Sequence, residues 1–176
     1  MHQLLACEFM DLIELKNEDI DLFKKQIQKT FQKAYESNYG PYDNLALPDE
    51  ELEESFSKEG CHAYNVVDEN EIVGGVIVNI NEKTNRNKLD FLFVNSDIQG
   101  KGLGQAIWRE IESKFPDTKV WETTTPYHDK RNINFYVNKL GFQIVEYYND
   151  YHPNLENPIE NYALREGLFR FEKRID

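Results

Sequence analysis

Apolar residues recur at Ile20, Phe23, Ile27 and Phe31, the spacing that turns one face of an α-helix inward. Asn17 stands just ahead as an N-cap, and Glu18, Asp19 and Asp21 follow where the positive end of a helix dipole favours acids. Phe9 to Lys16, before that helix, reads as a strand. The stretch Ser37 to Asn44 is turn chemistry, and a second, strongly acidic helix is predicted over Pro48 to Phe56, with Pro48 near its first turn. The signals then become those of strands. His62 to Val67 and Glu71 to Ile80, joined through Asp68-Glu-Asn70, read as an antiparallel hairpin. Polar Asn81 to Asn87 connects it to a further strand over Lys88 to Val94.

A four-residue ladder of Leu103, Ile107, Ile111 and Phe115 marks the next helix, which Pro116 stops. Lys119 to Thr124 is strand-like, Arg131 to Leu140 is helical, and Gly141 is a natural helix terminator. Phe142 to Tyr148 and Leu168 to Arg174 read as closing strands, separated by a polar, irregular excursion from Asn149 to Gly167. Strands outnumber helices and several are hairpin-linked. The predicted fold class is α/β (α+β): a single domain over residues 1–176, with a mixed, mostly antiparallel twisted sheet flanked by helices. The length of 176 residues suits one domain with a real core.

Net charge changes this picture in one respect. At −12 it disfavours a nucleic-acid partner, because phosphate binding needs a basic footprint. Two readings of the charge stand: it keeps the protein soluble, or it attracts a cationic substrate such as an amine. No apolar run approaches membrane-spanning length, and the N-terminus lacks a charged-then-apolar signal pattern, so no membrane partner is expected. Cys7 and Cys61 make no disulfide framework, which fits a cytoplasmic location. His2, His62, His128 and His152 are scattered without metal-ligand spacing, and no metal is expected.

The most informative stretch is VNSDIQGKGLGQAIW, Val94 to Trp108, with Gly100, Gly102 and Gly104 at a strand-to-helix junction. A P-loop would need Ser or Thr after its Gly-Lys, whereas Lys101 precedes Gly102. The dinucleotide fingerprint needs two residues before its third glycine, and here only Leu103 intervenes. The physical logic of both remains. Residues without side chains let a ligand approach the backbone, and helix N-terminal amides point at an anion such as a pyrophosphate.

Gln99-Gly-Lys-Gly-Leu-Gly104 resembles the signature of the GNAT superfamily of acyl-CoA-dependent N-acetyltransferases, which reads Gln or Arg, two residues, Gly, one residue, then Gly or Ala. The order of elements is also similar, with a hairpin before the loop and then a helix, a strand, the helical Asn132-Ile-Asn-Phe-Tyr136 and Gly141-Phe142. The resemblance covers residues 62–148 well and the N-terminal third only in pattern. It implies acetyl-CoA as co-substrate, held by Phe93, Val94, Gln99, Gly100, Lys101, Gly102, Leu103, Gly104, Gln105 and Asn132. It also implies that the Leu92-Phe93-Val94 strand pairs with the pantetheine arm, with a backbone amide near Val94 stabilising the oxyanion. Lys101, Lys130 and Arg131 either offset the cofactor's phosphates or are solvated surface charges.

The implied reaction is direct attack of an amine, from a small molecule or a peptide, on the acetyl group. The alternative is a non-catalytic acyl-CoA-binding or regulatory module of the same fold. Glu122 is the candidate base, or else an edge-strand surface residue, and Asp90 is the second choice. Tyr136 is the candidate acid, or else a core residue. The family commonly leaves three residues between its Tyr and Gly-Phe, whereas four, Val137 to Leu140, intervene here, so Val137 occupies the usual place. Acceptor choice falls by resemblance to Phe31 to Tyr35, Tyr39 to Tyr42 and the Tyr151-His152-Pro153 turn, which are aromatic and acidic as suits a cation. A homodimer is compatible with the family.

Overall fold

Glu69 and Asn70 both take positive φ, 47° and 68°. That is the conformation of a two-residue hairpin loop whose twist matches paired strands. They join β2 (Cys61–Asp68) to β3 (Glu71–Asn79) in antiparallel register. The protein is seen here as a computed structural model, which describes residues 10–100, 102–155 and 167–176. The remaining strands are β1 (Met10–Glu14), β4 (Arg86–Val94), β5 (Val120–Pro126), β6 (Gln143–Tyr148) and β7 (Leu168–Arg174). The seven form a sheet in the order β1-β2-β3-β4-β5-β7-β6, in which β4 with β5 is the parallel pair among the described registers. The helices are α1 (Ile20–Tyr39), α2 (Asp49–Ser57), α3 (Leu103–Lys114) and α4 (Lys130–Asn134). This mixed, mostly antiparallel sheet with its helices is the fold class that the hydrophobic pattern predicts.

The chain divides into two compact units, Met1–Ile80 with Leu89–Pro116, and Asn81–Lys88 with Asp117–Asp176. In the first, strand alternation decides which helix meets which face. Ala63 pairs with Ile77, and both join Phe23, Ile27, Leu47, Leu52 and Phe93 in the core under α1 and α2. Tyr64, Val66, Val76 and Val78 are buried on the opposite face. There α3 brings its own buried Ile107, Trp108 and Ile111, with Lys114 Nζ 5.2 Å from the centroid of the Tyr64 ring. In the second unit the core is Trp121, Tyr136, Leu140, Phe142 and Phe171.

Several boundaries differ from the sequence reading by a residue or two, and two of the differences bear on how the elements are held. Asn17 is not the cap of α1: Asn17–Asp19 forms a 3₁₀ turn closed by the Asp19 amide on the Lys16 carbonyl, and the α-helix starts at Ile20. β4 begins at Arg86 instead of Lys88, and its first three residues supply the register with β5, from Arg86↔Val120 to Lys88↔Glu122. Asn87, read as part of a connection, is buried because its polar atoms are satisfied. Its Oδ1 accepts from the Asn81 amide at 2.8 Å and its Nδ2 donates to Thr118 Oγ1 at 2.7 Å. The segment Asn149 to Gly167 contributes an isolated bridge between Asn149 and His152, and residues 156–166 lie outside the described residues. So do Phe9 and Lys101.

Gly75 shows how tightly the α1 face is packed. A Cβ there would lie 2.4 Å from Phe23 and 2.5 Å from Phe93, both rings of the core. Gly75→Ala should therefore destabilise the protein by about 1–3 kcal/mol through overpacking. Chemical denaturation checks this, and an unchanged midpoint would show that the two rings can move apart freely.

Candidate active site

The end of β4 is fixed by polar contacts within the first unit. The Asn95 amide donates to the Val73 carbonyl at 2.9 Å, and Asn95 Nδ2 donates to the Ile72 carbonyl at 2.8 Å. The Gln99 side-chain amide then reaches back to the Val94 carbonyl at 2.9 Å, across a 3₁₀ turn at Ser96–Ile98. Gly100 and Gly102 follow with φ of 89° and 75°, a region that a residue with a Cβ enters only under strain. Gly102 is the cap of α3, and the first bond of that helix runs from the Ala106 amide to the Gly102 carbonyl. The amides ahead of Ala106 precede the i→i−4 ladder of the helix. At both Gly100 and Gly102 a Cβ would meet nothing within 4 Å, so the backbone at these two glycines faces open space. Leu103 turns its side chain into the core, as does Phe93, which leaves their backbones as the groups a ligand would find. Left-handed glycine backbone, a helix N-terminus and open approach fit the pyrophosphate of a CoA thioester.

In the second unit, β5 presents two chemically different faces. Thr123 and its β7 partner Phe171 lie on the face that holds Tyr136. The Tyr136 hydroxyl hydrogen-bonds Thr123, and its ring packs on Phe171 and Phe142 at centroid distances of 5.5 and 5.9 Å. Burial pushes this phenol up to about 12, with the Thr123 bond opposing the shift and the charge of Asp129 adding to it. The extra residue before Gly141 is absorbed by a π turn over Phe135–Lys139, in which the Leu140 amide bonds the Phe135 carbonyl at 3.0 Å. This wider turn leaves Tyr136 as the buried residue of that turn, and Val137 beside it half-buried.

Glu122 lies on the other face of β5, paired in register with Glu172. Its Oε1 accepts from the guanidiniums of Arg86 and Arg170. Arg170 also donates to Glu172 at 2.7 Å and to Glu146 at 2.9 Å, and Arg86 donates to Glu172 at 2.7 Å. His152, Arg170 and Tyr148, in that order of influence, pull Glu146 down to about 2. Burial opposes ionisation of Glu172, yet the bonds from Arg170 and Arg86 prevail and hold it below the usual carboxylate range. The result is an ion-pair ladder across β4, β5, β7 and β6, with Glu122 as one rung.

A protein-family model for the acetyltransferase (GNAT) family matches residues 25–142. The chain belongs to the GNAT acetyltransferase family. YrkN, an uncharacterised protein of Bacillus subtilis, is 43% identical over 145 residues, spanning 81% of this chain and 78% of its own. The fold is shared with a Bacillus subtilis acetyltransferase solved in complex with CoA, at a TM-score of 0.64 and 16% identity over 94% of this chain and 97% of that one. A GNAT acetyltransferase from Elizabethkingia anophelis, solved with acetyl-CoA bound, aligns at a TM-score of 0.65 and 13% identity over 96% of this chain and 99% of that one.

Among the GNAT residues anticipated from sequence, the first unit brings together Phe93, Val94, Gln99, Gly100 and Gly102 to Gln105 at one strand-to-helix turn. Asp90 lies in the same unit but faces α2, accepting from Ser55 Oγ at 2.6 Å and Lys58 Nζ at 3.3 Å. Glu122, Asn132 and Tyr136 belong to the second unit, where Glu122 and Tyr136 occupy opposite faces of β5. Asn132 is engaged by the α4 cap: its amide and its Nδ2 both donate to the Asp129 carboxylate, at 3.0 and 2.8 Å. Sequence reasoning missed Asn95, Thr123 and the arginines around Glu122. Only Arg86 left a signal, being two residues from Lys88 and hence on its face of β4. Among the described residues no group of three or more His, Cys, Asp or Glu is placed to hold a metal ion, and no helix is long and apolar enough to cross a membrane.

Tyr136→Phe should cost about 0.5–1.5 kcal/mol near neutral pH, the value of a net hydrogen bond. At alkaline pH the sign changes. The folded state keeps a proton up to about 12 that the unfolded chain releases near 10, so this stabilising contribution is intact below pH 10 and lost as pH rises through 12. Two units correspond to roughly 3 kcal/mol. Denaturation curves between pH 9 and 12 should show the wild type losing its advantage over Tyr136→Phe and then falling behind. A constant difference between the two would mean that the hydroxyl is open to water.

Proposed function

We propose that the protein transfers an acetyl group from acetyl-CoA to an amine by direct attack. The observation that carries this reading is the turn at the end of β4. Gly100 and Gly102 hold left-handed backbone in open space immediately before the N-terminus of α3, an arrangement suited to a pyrophosphate. The family and the cofactor-bound neighbours support it. Lys101 adds a positive charge to the same loop by sequence. Backbone groups near Val94 receive the thioester end, and the Gln99 side chain fixes that strand terminus by occupying the Val94 carbonyl.

The chemistry needs two proton movements. An aliphatic amine with an ordinary pKa of about 10.4 must lose a proton before it attacks, and the departing sulfur must gain one. Tyr136 keeps its proton at neutral pH, so it is able to donate and unable to serve as base. Donation from a phenol near 12 to a thiolate of ordinary basicity, about 8.5 for cysteine, runs uphill. Tyr136 is therefore poorly matched as the acid for the leaving sulfur, and it packs among Thr123, Phe142 and Phe171. Glu122 takes the acceptor's proton only if its two guanidinium partners leave a lone pair open.

Gly102→Val tests the cofactor assignment. The side chain has room, and left-handed strain costs about 1–2 kcal/mol, so the variant should fold. Calorimetric titration should show acetyl-CoA affinity reduced at least about tenfold, or 1.4 kcal/mol. Unchanged affinity would remove the pyrophosphate from this turn. A panel of amines assayed for thiol release then tests transfer itself, and binding without release from any amine would make the protein an acyl-CoA-binding module.

Glu122→Gln separates chemistry from structure. As general base its loss should lower turnover by roughly 10²–10⁴ with cofactor affinity retained. As a rung of the ladder alone, it should lower the thermal midpoint and leave turnover per folded molecule unchanged.

A further inference from the structure

An acid stands where it opposes the proposed cofactor. Asp97 lies in the 3₁₀ turn Ser96–Ile98, which leads from β4 into the glycine loop, three residues ahead of Gly100. Three residues span at most about 11 Å, close to the reach of a charge in 0.1 M salt, about 10 Å. The turn is tied at both ends. The Asn95 amide donates to the Val73 carbonyl at 2.9 Å, and the Gln99 side chain donates to the Val94 carbonyl at 2.9 Å. Within the turn, the Ile98 amide donates to the Asn95 carbonyl at 3.0 Å. A carboxylate fixed at that place repels any polyanion that settles on the α3 N-terminus.

A cation from another element meets this acid. Lys33 Nζ lies 3.4 Å from Asp97 Oδ1, and Ser96 Oγ lies 3.5 Å from the same oxygen. Lys33 is carried by α1, and the core fixes that helix against β4. The ring centroids of Phe23 and Phe93 are 5.3 Å apart, and those of Phe31 and Phe91 are 6.0 Å apart. Helix, strand and turn all belong to the first compact unit. The pair is open to water, with the lysine side chain 57% and the aspartate 77% exposed. An ion pair so exposed does little for folding. Its effect falls instead on a charged ligand nearby. Paired, the two side chains present no net charge to the loop, whereas Asp97 alone presents a full negative one.

We propose that Lys33 is a positioning residue of the cofactor site, acting through Asp97. It cancels the field of that carboxylate at the glycine loop and so lets the phosphates of acetyl-CoA settle against the α3 N-terminus. The inference rests on the acetyl-CoA reading of the loop and adds to it a residue from α1 that the loop motif does not contain. Lys33 makes no bond to the cofactor in this scheme. Removing the lysine therefore weakens binding only while Asp97 keeps its charge, and removing both charges restores it. The field of the whole chain, at a net charge of −12, does not substitute for the lysine, because it too repels the cofactor.

Calorimetric titration of acetyl-CoA into the protein at low and high salt tests this. At about 10 mM salt, where a charge reaches about 30 Å, Lys33→Gln should weaken binding by about 3- to 10-fold. Lys33→Arg, which keeps the charge, should stay within about twofold of wild type. At about 1 M salt, where the reach shrinks to about 3 Å, the loss in Lys33→Gln should fall below about twofold. The double variant Lys33→Gln/Asp97→Asn should return to within about twofold of wild type at low salt. Asp97→Asn alone should bind at least about twofold more tightly, which keeps the test decisive should Lys33→Gln misfold. Lys16→Gln makes the same change in net charge at an exposed lysine ahead of α1, about 20 Å along the helix from Lys33, and should stay within about twofold. Thermal midpoints should differ little. A loss in Lys33→Gln that persists at high salt, or that Asp97→Asn fails to repair, would overturn the proposal, because it would mark a direct bond to the cofactor or a packing role. Full affinity in Lys33→Gln at low salt, an equal loss in Lys16→Gln, or unchanged affinity in Asp97→Asn would overturn it with the cofactor reading intact. Wild-type protein that does not bind acetyl-CoA would sink the cofactor reading itself and this inference with it.

Discussion

The carbonyl of Phe93 lies against the backbone of Gly74, at a spot where a Cβ would come within 2.2 Å of its oxygen. A side chain at Gly74 would push β4 off β3 just before β4 has to end. With glycine there, the strands close up, and the Asn95 amide and side chain can pin the terminus to the Val73 and Ile72 carbonyls. Gln99 then takes the Val94 carbonyl, and the backbone passes through two left-handed glycines into α3. Each step presupposes the one before. The amides at the helix start are aimed because the strand before them stops at a fixed place.

The second unit solves a different problem with the same alternation of side chains. On one face of β5, threonines and aromatic rings bury a phenol. On the other, three glutamates and two arginines interlock in a half-buried ladder. Burying single charges of this kind would be costly, but each carboxylate here has a guanidinium partner and each arginine bridges more than one carboxylate. A ladder of that type holds strand register, because slipping β7 by one residue would put Arg170 and Glu172 on the aromatic face and Phe171 on the charged one.

What was legible in the sequence follows from how local its cause is. The hairpin at Glu69-Asn70, the stripes of α1 and α3 and the glycine turn are written in neighbouring residues, and the loop led to the family that the comparisons show. The start of β4 was illegible because Asn87 looks polar in sequence and is buried only through a partner 31 residues away. The surroundings of Glu122 and Tyr136 were illegible for the same reason. Thr123 meets Tyr136 only once the turn over Phe135–Lys139 packs on β5, and Arg170 meets Glu122 only after β7 has paired with β5. The π turn is an intermediate case: the extra residue before Gly141 was visible, but its remedy was not, since an i+5 bond leaves no mark in composition.

The acid excess has opposite consequences at the two ends of the proposed reaction. A polyanionic cofactor approaching a chain of net charge −12 is repelled at long range, so its binding has to come from short-range groups. Backbone amides and a helix pole are such groups, since their effect is confined to the first turn and carries no net charge. This explains why the loop depends on glycines more than on a cluster of lysines and arginines. A cationic acceptor meets the reverse situation. In the proposed reaction the long-range field of the acid excess favours the approach of such a cation. Long-range charge thus concentrates the amine, while local dipoles select the thioester against that same field.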